Sequence, residues 1–257
     1  MKNRDGFVQP PAQFYDDLAP DYDLMTGRAG GTDRLRTSLE KFVTATGIES
    51  AVDAGCGTGK HAVALAQLGL RVAGIDVSPE MIARARELGR SSGVEVDWYV
   101  GELTDLDRLV GTGWDAVLCL GNTLPHLLRV ADLRRFARAA LRALGRPGLL
   151  AVQCLNYPLL RERSERIVAI TKHGQREFIR FNDYTGRNVR FNLLRIDWTD
   201  AGARHRLSST VLRPWTPAEL QRVFETSGFQ QIHVYGGLDL SPFDPRSSRS
   251  FLMVAKA

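Results

Sequence analysis

The run Ala51-Val-Asp-Ala-Gly-Cys-Gly-Thr-Gly-Lys60 constrains this chain more than any other stretch. A short apolar strand, Ala51–Ala54, runs into three glycines at alternate positions, and a helix starts at Lys60. Lacking a Cβ, Gly55 and Gly57 let a ligand approach the backbone closely. The free N–H groups of the helix start point toward it. The flanking residues decide which ligand fits. A phosphate loop, G-x-x-x-x-G-K-[ST], requires glycine where Ala54 stands and Ser or Thr where His61 stands. A dinucleotide fingerprint, G-x-G-x-x-G, requires glycine where Lys60 stands. Asp53, two residues ahead of the first glycine, suits a ligand with a cationic amino-acid end better than a pyrophosphate.

Strands and helices alternate on both sides of this turn. The pattern predicts a helix over 33–46 and strands at Ala51–Ala54, Arg71–Asp76, Glu95–Val100, Trp114–Leu120 and Leu149–Cys154. Helices are expected at Lys60–Leu68, from Ser78 to about Arg90, and at Asp132–Leu144. Ser78 caps the second of these with Pro79 at its first position, where a missing N–H costs nothing. Such a rhythm implies an α/β fold, Rossmann-like and doubly wound, with a mostly parallel sheet. After Cys154 the rhythm breaks. Glu177–Tyr184, Val189–Trp198 and His205–Leu212 read as extended stretches separated by turns. They predict an antiparallel β insertion or cap over 162–213, after the fifth strand. The α/β pattern resumes with a helix at Thr216–Ser227 and strands at Phe229–Tyr235 and Ser250–Ala255. The whole chain, 1–257, is expected to be one domain, with residues 1–46 as an N-terminal lid and helix. Residues 1–31, with short helical turns around Tyr15–Leu18 and Asp21–Met25 and a Gly30-Gly31 pair, are expected to be a mobile lead.

Two further strand ends complete the nucleotide corner. Asp76 lies 21 residues beyond Gly55, where an acid can accept from both hydroxyls of a ribose. Glu102, in Val100-Gly-Glu-Leu103, can accept from an adenine amino group, and Leu103 with Met81 can sandwich the ring. Residues from about 50 to 155 resemble the core of a class I S-adenosylmethionine-dependent methyltransferase. The run DAGCGTGKHAVALAQLGLRVAGIDVSPEMIARAR is similar to that family's first two motifs. The resemblance implies a seven-stranded sheet with its last strand antiparallel. It also implies S-adenosylmethionine as methyl donor, S-adenosylhomocysteine as product, and no metal. Asp53, Gly55 and Gly57 would line the methionine moiety, Asp76 the ribose, and Met81, Glu102 and Leu103 the adenine. Each has a plainer reading: turn shaping, helix capping, helix core or a solvated acid.

The acceptor side is written at the next two strand ends. LGNTLPHL (residues 120–127) followed by NYPLL (residues 156–160) resembles segments of glycine N-methyltransferase and glycine/sarcosine methyltransferases. The match implies that the Leu120 carbonyl holds the donor's ammonium and that Asn122 lies near the acceptor, with His126 and Tyr157 as further catalytic candidates. The opening FYDDLAPDYD resembles a tyrosine-bearing lid, with Tyr15 and Tyr22 over the cofactor. Two departures count against glycine itself as acceptor. Leu155 stands where those enzymes carry a carboxylate-gripping arginine, and Pro158 replaces an aspartate. The β-rich insertion, a Thr-Pro helix and the GG/SPFD tail also resemble amino-sugar N,N-dimethyltransferases. In the insertion, Arg180, Asp183, Tyr184 and Arg190 read as exposed strand faces or a subunit contact, with an acceptor pocket as the alternative.

The reading that follows is a small-molecule methyltransferase acting on an amine nitrogen. A methyltransferase acting on RNA, DNA or protein is the alternative, and a catalytically silent binder of S-adenosylmethionine the third reading. The formal charge of +5 invites nucleic acid, but the arginines are scattered and form no dense run. Asn122-Thr-Leu-Pro is not the N/D-P-P-Y/F tetrapeptide of base-amino methylation, and no cysteine follows a proline, as a cytosine-C5 enzyme requires. Cys56, Cys119 and Cys154 match no zinc template and read as small core fillers, with a nucleophile as the alternative. No apolar run is long enough to span a bilayer. The opening residues lack the apolar stretch of a secretory signal, so a cytoplasmic location is expected. A homodimer is left open.

Overall fold

A computed structural model describes residues 8–27 and 32–257. The Gly30-Gly31 pair lies outside them. Seven strands form the main sheet: β1 (Ser50–Ala54), β2 (Arg71–Asp76), β3 (Asp97–Val100), β4 (Trp114–Cys119), β5 (Leu144–Leu155), β10 (Gln230–Tyr235) and β11 (Ser250–Lys256). Four more, β6 (Ile167–His173), β7 (Arg176–Thr185), β8 (Asn188–Thr199) and β9 (Gly202–Leu212), form a second sheet. The helices are α1 (Pro11–Leu18), α2 (Tyr22–Met25), α3 (Thr32–Thr46), α4 (Lys60–Gln67), α5 (Pro79–Ser91), α6 (Leu106–Val110), α7 (Val130–Ala143), α8 (Tyr157–Glu162) and α9 (Pro217–Ser227).

The main sheet has the order β10-β11-β5-β4-β1-β2-β3. Only β11 runs against its neighbours, pairing antiparallel with both β5 and β10. The central strand β1 is buried at every position, as a parallel strand covered on both faces must be. Its alternating side chains feed two cores. Val52 and Ala54 pack with Leu133, Phe136 and Phe224, from α7 and α9. Ala51 packs on the other face with Leu39, Phe42 and Leu65, from α3 and α4. Asp115 fixes where β1 enters the sheet. Its Oδ2 accepts from the N–H groups of Glu49 and Ser50 and from the Ser50 hydroxyl at 2.8–2.9 Å.

Local sequence explains the starts of α5 and α9. Ser78 Oγ accepts from the Met81 N–H at 3.1 Å, with Pro79 at the first helical position. Thr216 and Glu219 form a reciprocal capping box. Three elements are not expected from the sequence: the short helix α6, β6 and α8. Strand β6 carries the β-branched run Ile-Val-Ala-Ile-Thr, and α8 begins at Tyr157-Pro158, a helix-start signal. Strand β5 begins at Leu144 rather than Leu149, with a register irregularity against β4, because α7 already stops at Ala143.

The second sheet is an antiparallel meander, β6-β7-β8-β9. The two-residue Gly186-Arg187 connection fits a right-twisted hairpin, with Gly186 at φ +57°. The inner face of this sheet covers the lead helices. Phe178 and Leu193 pack on Phe14, Leu18 and Met25. Arg176 and Arg195 both bond the buried Asp21, at 2.5 and 2.9 Å. The lead helices are therefore held between the insertion and the carboxyl ends of the main strands.

Candidate active site

The turn after β1 folds back over the end of β2. The N–H groups of Gly55 and Cys56 both donate to the Ile75 carbonyl, at 2.8 and 2.9 Å. Gly55 has φ +82° and Gly57 φ +55°, conformations that a side chain rarely adopts. Space is also closed at Gly55: a Cβ there would sit 2.2 Å from Thr123 Cγ2. At Gly57 a Cβ would meet the ring of Tyr22 at 3.7 Å. These contacts show what the glycines allow. The loop after β4 and a tyrosine from the lead segment close directly onto the turn.

A cavity of about 490 Å³ lies above this corner, bounded by Gly55, Gly57, Asp76, Glu102, Leu103 and Thr123 among others. Tyr15, Tyr22 and His126 form its far wall. Polar bonds pin the lead helices over it. Ser78 Oγ donates to Asp16 at 2.5 Å, and Thr58 Oγ1 to Asp23 at 2.9 Å. Lys60 Nζ lies 3.2 Å from Asp23. A second cavity, of about 280 Å³, adjoins the first across Tyr15, Tyr22, Gly121 and His126. Asn122, Leu155, Tyr157, Arg180, Asn182 and Phe191 contribute to its walls. Two chambers sharing one junction suit a donor and an acceptor that must meet end to end.

Electrostatics differ sharply between the groups. Asp76 Oδ2 accepts from the Gly57 N–H at 2.9 Å and Oδ1 from the Ser78 N–H at 3.0 Å. Each oxygen keeps a second lone pair for a ligand hydroxyl. Burial raises its pKa in spite of these bonds. Asp53 is 1% exposed, its Oδ2 has no partner, and burial followed by the charge of Asp76 pushes its carboxyl up to about 7. His126 is driven down to about 4 by burial, so its imidazole is neutral at physiological pH. Burial, then Tyr22, raises Tyr15 well above the ordinary phenol range. The two meet through a hydrogen bond of 2.9 Å between the Tyr15 hydroxyl and His126 Nε2.

Asn122 sits at φ +68° after Gly121, also left-handed. Its Oδ1 accepts from the Leu155 N–H at 3.0 Å, and its Nδ2 donates to the Tyr157 hydroxyl at 2.8 Å. This amide ties the ends of β4 and β5 together and aims Tyr157. Burial carries the Tyr157 phenol far above its ordinary range, so it stays protonated.

The structure thus brings Gly55, Gly57, Asp76, Glu102 and Leu103 to one cavity, and Asn122 and Tyr157 to the other, with Tyr15, Tyr22 and His126 on both. Three expected residues stand behind the walls. Asp53 is sealed beneath the turn, and Met81 is fully buried. Leu120 is buried too, and its carbonyl already accepts from Thr123 Oγ1 at 2.9 Å. Of the four insertion residues considered, only Arg180 reaches a cavity. Asp183 instead pairs with Arg166, and Tyr184 packs beside Tyr157. Thr123 and Asn182 were missed. Thr123 lies within LGNTLPHL, but no single sequence signals its contact with Gly55. Asn182 depends on strand register. All three cysteines are buried free thiols with raised pKa, Cys154 on the second cavity included, so none is a ready nucleophile.

Comparison with known proteins decides the family. A model of a methyltransferase domain matches residues 51–148. The glycine/sarcosine N-methyltransferase of Halorhodospira halochloris is 31% identical over 244 residues, covering 90% of this chain and 80% of that one. The chain belongs to the S-adenosylmethionine-dependent methyltransferases. A second relative, the dTDP-4-amino-2,3,4,6-tetradeoxy-D-glucose N,N-dimethyltransferase of Saccharopolyspora spinosa, is 26% identical and covers 73% of this chain and 74% of its own. The solved structure of the CcbJ methyltransferase from Streptomyces caelestis superposes with a TM-score of 0.79 at 26% identity, covering 95% and 97% of the two chains. The seven-stranded order with reversed β11 and the separate four-stranded sheet agree with this methyltransferase fold.

The residues of the larger cavity fit S-adenosylmethionine. Asp76 has spare acceptor capacity for ribose hydroxyls. Glu102 and Leu103 line the end where the adenine would lie. The buried Asp53, with Oδ2 unpartnered and its carboxyl pushed up to about 7, lies beneath the glycine turn, where a nearby cation such as that of methionine would favour its ionised form. A cavity of this size is within the usual range for such ligands, roughly 300–1,000 Å³. Among the described residues, no group of three or more His, Cys, Asp or Glu could hold a metal ion. No described helix is long and apolar enough to cross a membrane.

Proposed function

We propose that this methyltransferase acts on the amine nitrogen of a small acceptor bound in the 280 Å³ cavity, with S-adenosylmethionine in the 490 Å³ one. The observation that carries the reading is the junction, where Tyr15, Tyr22 and His126 line both cavities. The names of the relatives point to nitrogen acceptors, an amino acid in one case and an amino sugar in the other.

When bound, the donor supplies a methyl group already activated by a cationic sulfur. The chain's own task is to orient the nucleophile and exclude water. His126, neutral, accepts a hydrogen bond from the Tyr15 hydroxyl at Nε2, and the phenol keeps its proton. This turns the Tyr15 oxygen lone pairs toward the junction. That oxygen then accepts an N–H of the acceptor and directs the nitrogen's lone pair along the line of transfer. Tyr157, aimed by Asn122, supplies a second hydroxyl to the acceptor. Tyr22, over Gly57, shields the donor side. Asn122 works mainly through Tyr157, since two of its bonds are already committed.

Glycine as acceptor is disfavoured. Leu155 lines the cavity where a carboxylate anchor would be needed, and the space exceeds what glycine fills. On the same reading residues 1–46 act as lid and helix, and 162–213 as a cap on the acceptor side. We place the protein in the cytoplasm, where its three free thiols stay reduced. A homodimer, left open by the sequence, would use the outer face of the second sheet. There Ile170, Ile179, Leu194 and Leu207 are successive cross-strand partners, and Ile170 and Leu207 are exposed. A monomeric mass in solution would remove that assembly.

The functional test is a methyl-labelled donor offered with small amines, amino sugars and RNA. Label in a small amine is the expected result. Label in RNA alone would establish the nucleic-acid alternative, and donor binding with no transfer the silent-binder one.

A further inference from the structure

Asn182 is 1% exposed and lies on the wall of the acceptor cavity, yet neither its Oδ1 nor its Nδ2 has a hydrogen-bond partner. Neighbouring groups are otherwise engaged. The Tyr184 hydroxyl approaches this amide closely enough for the amide N–H to favour the ionised phenol, but not in hydrogen-bond geometry, and its own proton goes to the Glu165 carbonyl at 2.8 Å. Asn192, on the opposite face of the adjacent strand, bonds Asp183 and Ser209. The backbone N–H of Asn182 goes to the Arg166 carbonyl. Asn182 does not owe its position to packing, since an amide in a sealed wall is a poor filler.

Register explains why the side chain points inward. Along β7, Phe178 packs under the lead helices, Arg180 and Asn182 line the cavity, and Tyr184 packs beside Tyr157. These alternate positions share one face. Phe191, the cross-strand partner of Asn182, lies on the same wall. The amide therefore stands between an aromatic ring and the Arg180 side chain, in a cavity whose described lining residues include no carboxylate.

We propose that Asn182 is a specificity-determining residue, reading a neutral donor–acceptor edge on the acceptor: a hydroxyl pair or an amide beside the amine. A carboxylate on the ligand could only accept, and an ammonium could only donate; the asparagine amide offers one acceptor and two donors. In the free protein the amide atoms are sealed from solvent, and an acceptor with matching groups supplies the partners they lack. A ligand without matching groups leaves both atoms stranded, and sites built this way reject deoxy analogues strongly. The space agrees with such a ligand. One water needs roughly 10–15 Å³, so 280 Å³ admits a body on the order of twenty heavy atoms. The proposal rests on the small-amine reading and adds the group that selects among amines.

The test compares the wild type with Asn182→Leu, similar in size but apolar, and with Asn182→Ala. Two probes are used: glucosamine, which places hydroxyls beside its amine, and cyclohexylamine, which has none. Methyl transfer, calorimetric titration with S-adenosylmethionine and thermal melting are measured for each. The expected result is a KM for glucosamine raised at least ~10-fold in both variants, with that for cyclohexylamine changed by less than about twofold. Donor affinity should be unchanged, and N182L should melt no lower than the wild type. Equal losses for both amines, or variants that melt lower or fail to fold, would overturn the proposal and make Asn182 structural. A wild type that binds the donor but labels neither amine counts against the small-amine reading. Melting then decides Asn182 by itself, a lower-melting N182L overturning its ligand role and an unchanged one sustaining it.

Discussion

Replacing Asp53 by Asn should make the free protein more stable while weakening its hold on the donor. The carboxyl is buried with Oδ2 unpartnered, and its pKa is pushed up to about 7. An unfolded chain releases that proton near 3.9. The difference is about three units, each worth about 1.4 kcal/mol. Between the two values the native carboxyl holds a proton that the unfolded one has lost. The Asp53 contribution to stability therefore falls as pH rises from about 4 to about 7 and then levels off. Asp53→Asn removes this titration and keeps the shape. The variant should be more stable by about 4 kcal/mol at pH 8 and by about 2 kcal/mol at pH 5. Urea unfolding at the two pH values measures both gaps directly. Calorimetry on the same samples should show weaker S-adenosylmethionine binding, because the negative potential under the glycine turn is gone. A variant no more stable than the wild type at pH 8, or a gap that does not narrow at pH 5, would refute the placing of the ionised carboxylate as an uncompensated charge.

Gly55→Ala should cost about 1–3 kcal/mol and greatly weaken donor binding, since φ is +82° and the new Cβ would overlap Thr123 Cγ2; an added Thr123→Ala should recover part of the binding but not the backbone strain. Tyr15→Phe, which deletes the bond to His126, should slow transfer about fivefold to tenfold with little change in donor affinity, read by steady-state kinetics. His126, held down to about 4, should contribute no inflection near pH 6.5 to the rate profile. Its unfolded form takes the proton first, so it should lower stability as pH falls from about 6.5 toward 4, and His126→Gln should flatten that loss.

Most of the main sheet was legible because its signals are local. The glycine run, the Ser78-Pro79 cap and the Thr216–Glu219 box each name an element boundary within four residues. The donor corner was legible for the same reason, as Gly55, Asp76 and Glu102 sit at successive strand ends. The acceptor side was only half legible. Asn122 and Tyr157 lie in recognisable segments, but their mutual bond crosses 35 residues. Arg180 and Asn182 enter through the register of an antiparallel insertion, and a shift of one residue would have turned both away. Asp53, Met81 and Leu120 lie in the same local motifs, but the depth of each, all three being buried, is set by the packing around them and is not written in the motif.

The most direct test of the two-chamber account is the chemical position of the transferred methyl. With S-adenosylmethionine carrying a carbon-13 methyl, carbon NMR of the product distinguishes a methyl on nitrogen from one on oxygen. The expected result is a nitrogen-bound methyl in a small-molecule product, formed by the wild type and lost in Asp76→Ala, which should no longer hold the donor. A methyl on oxygen, or label that stays with RNA or protein, would contradict it.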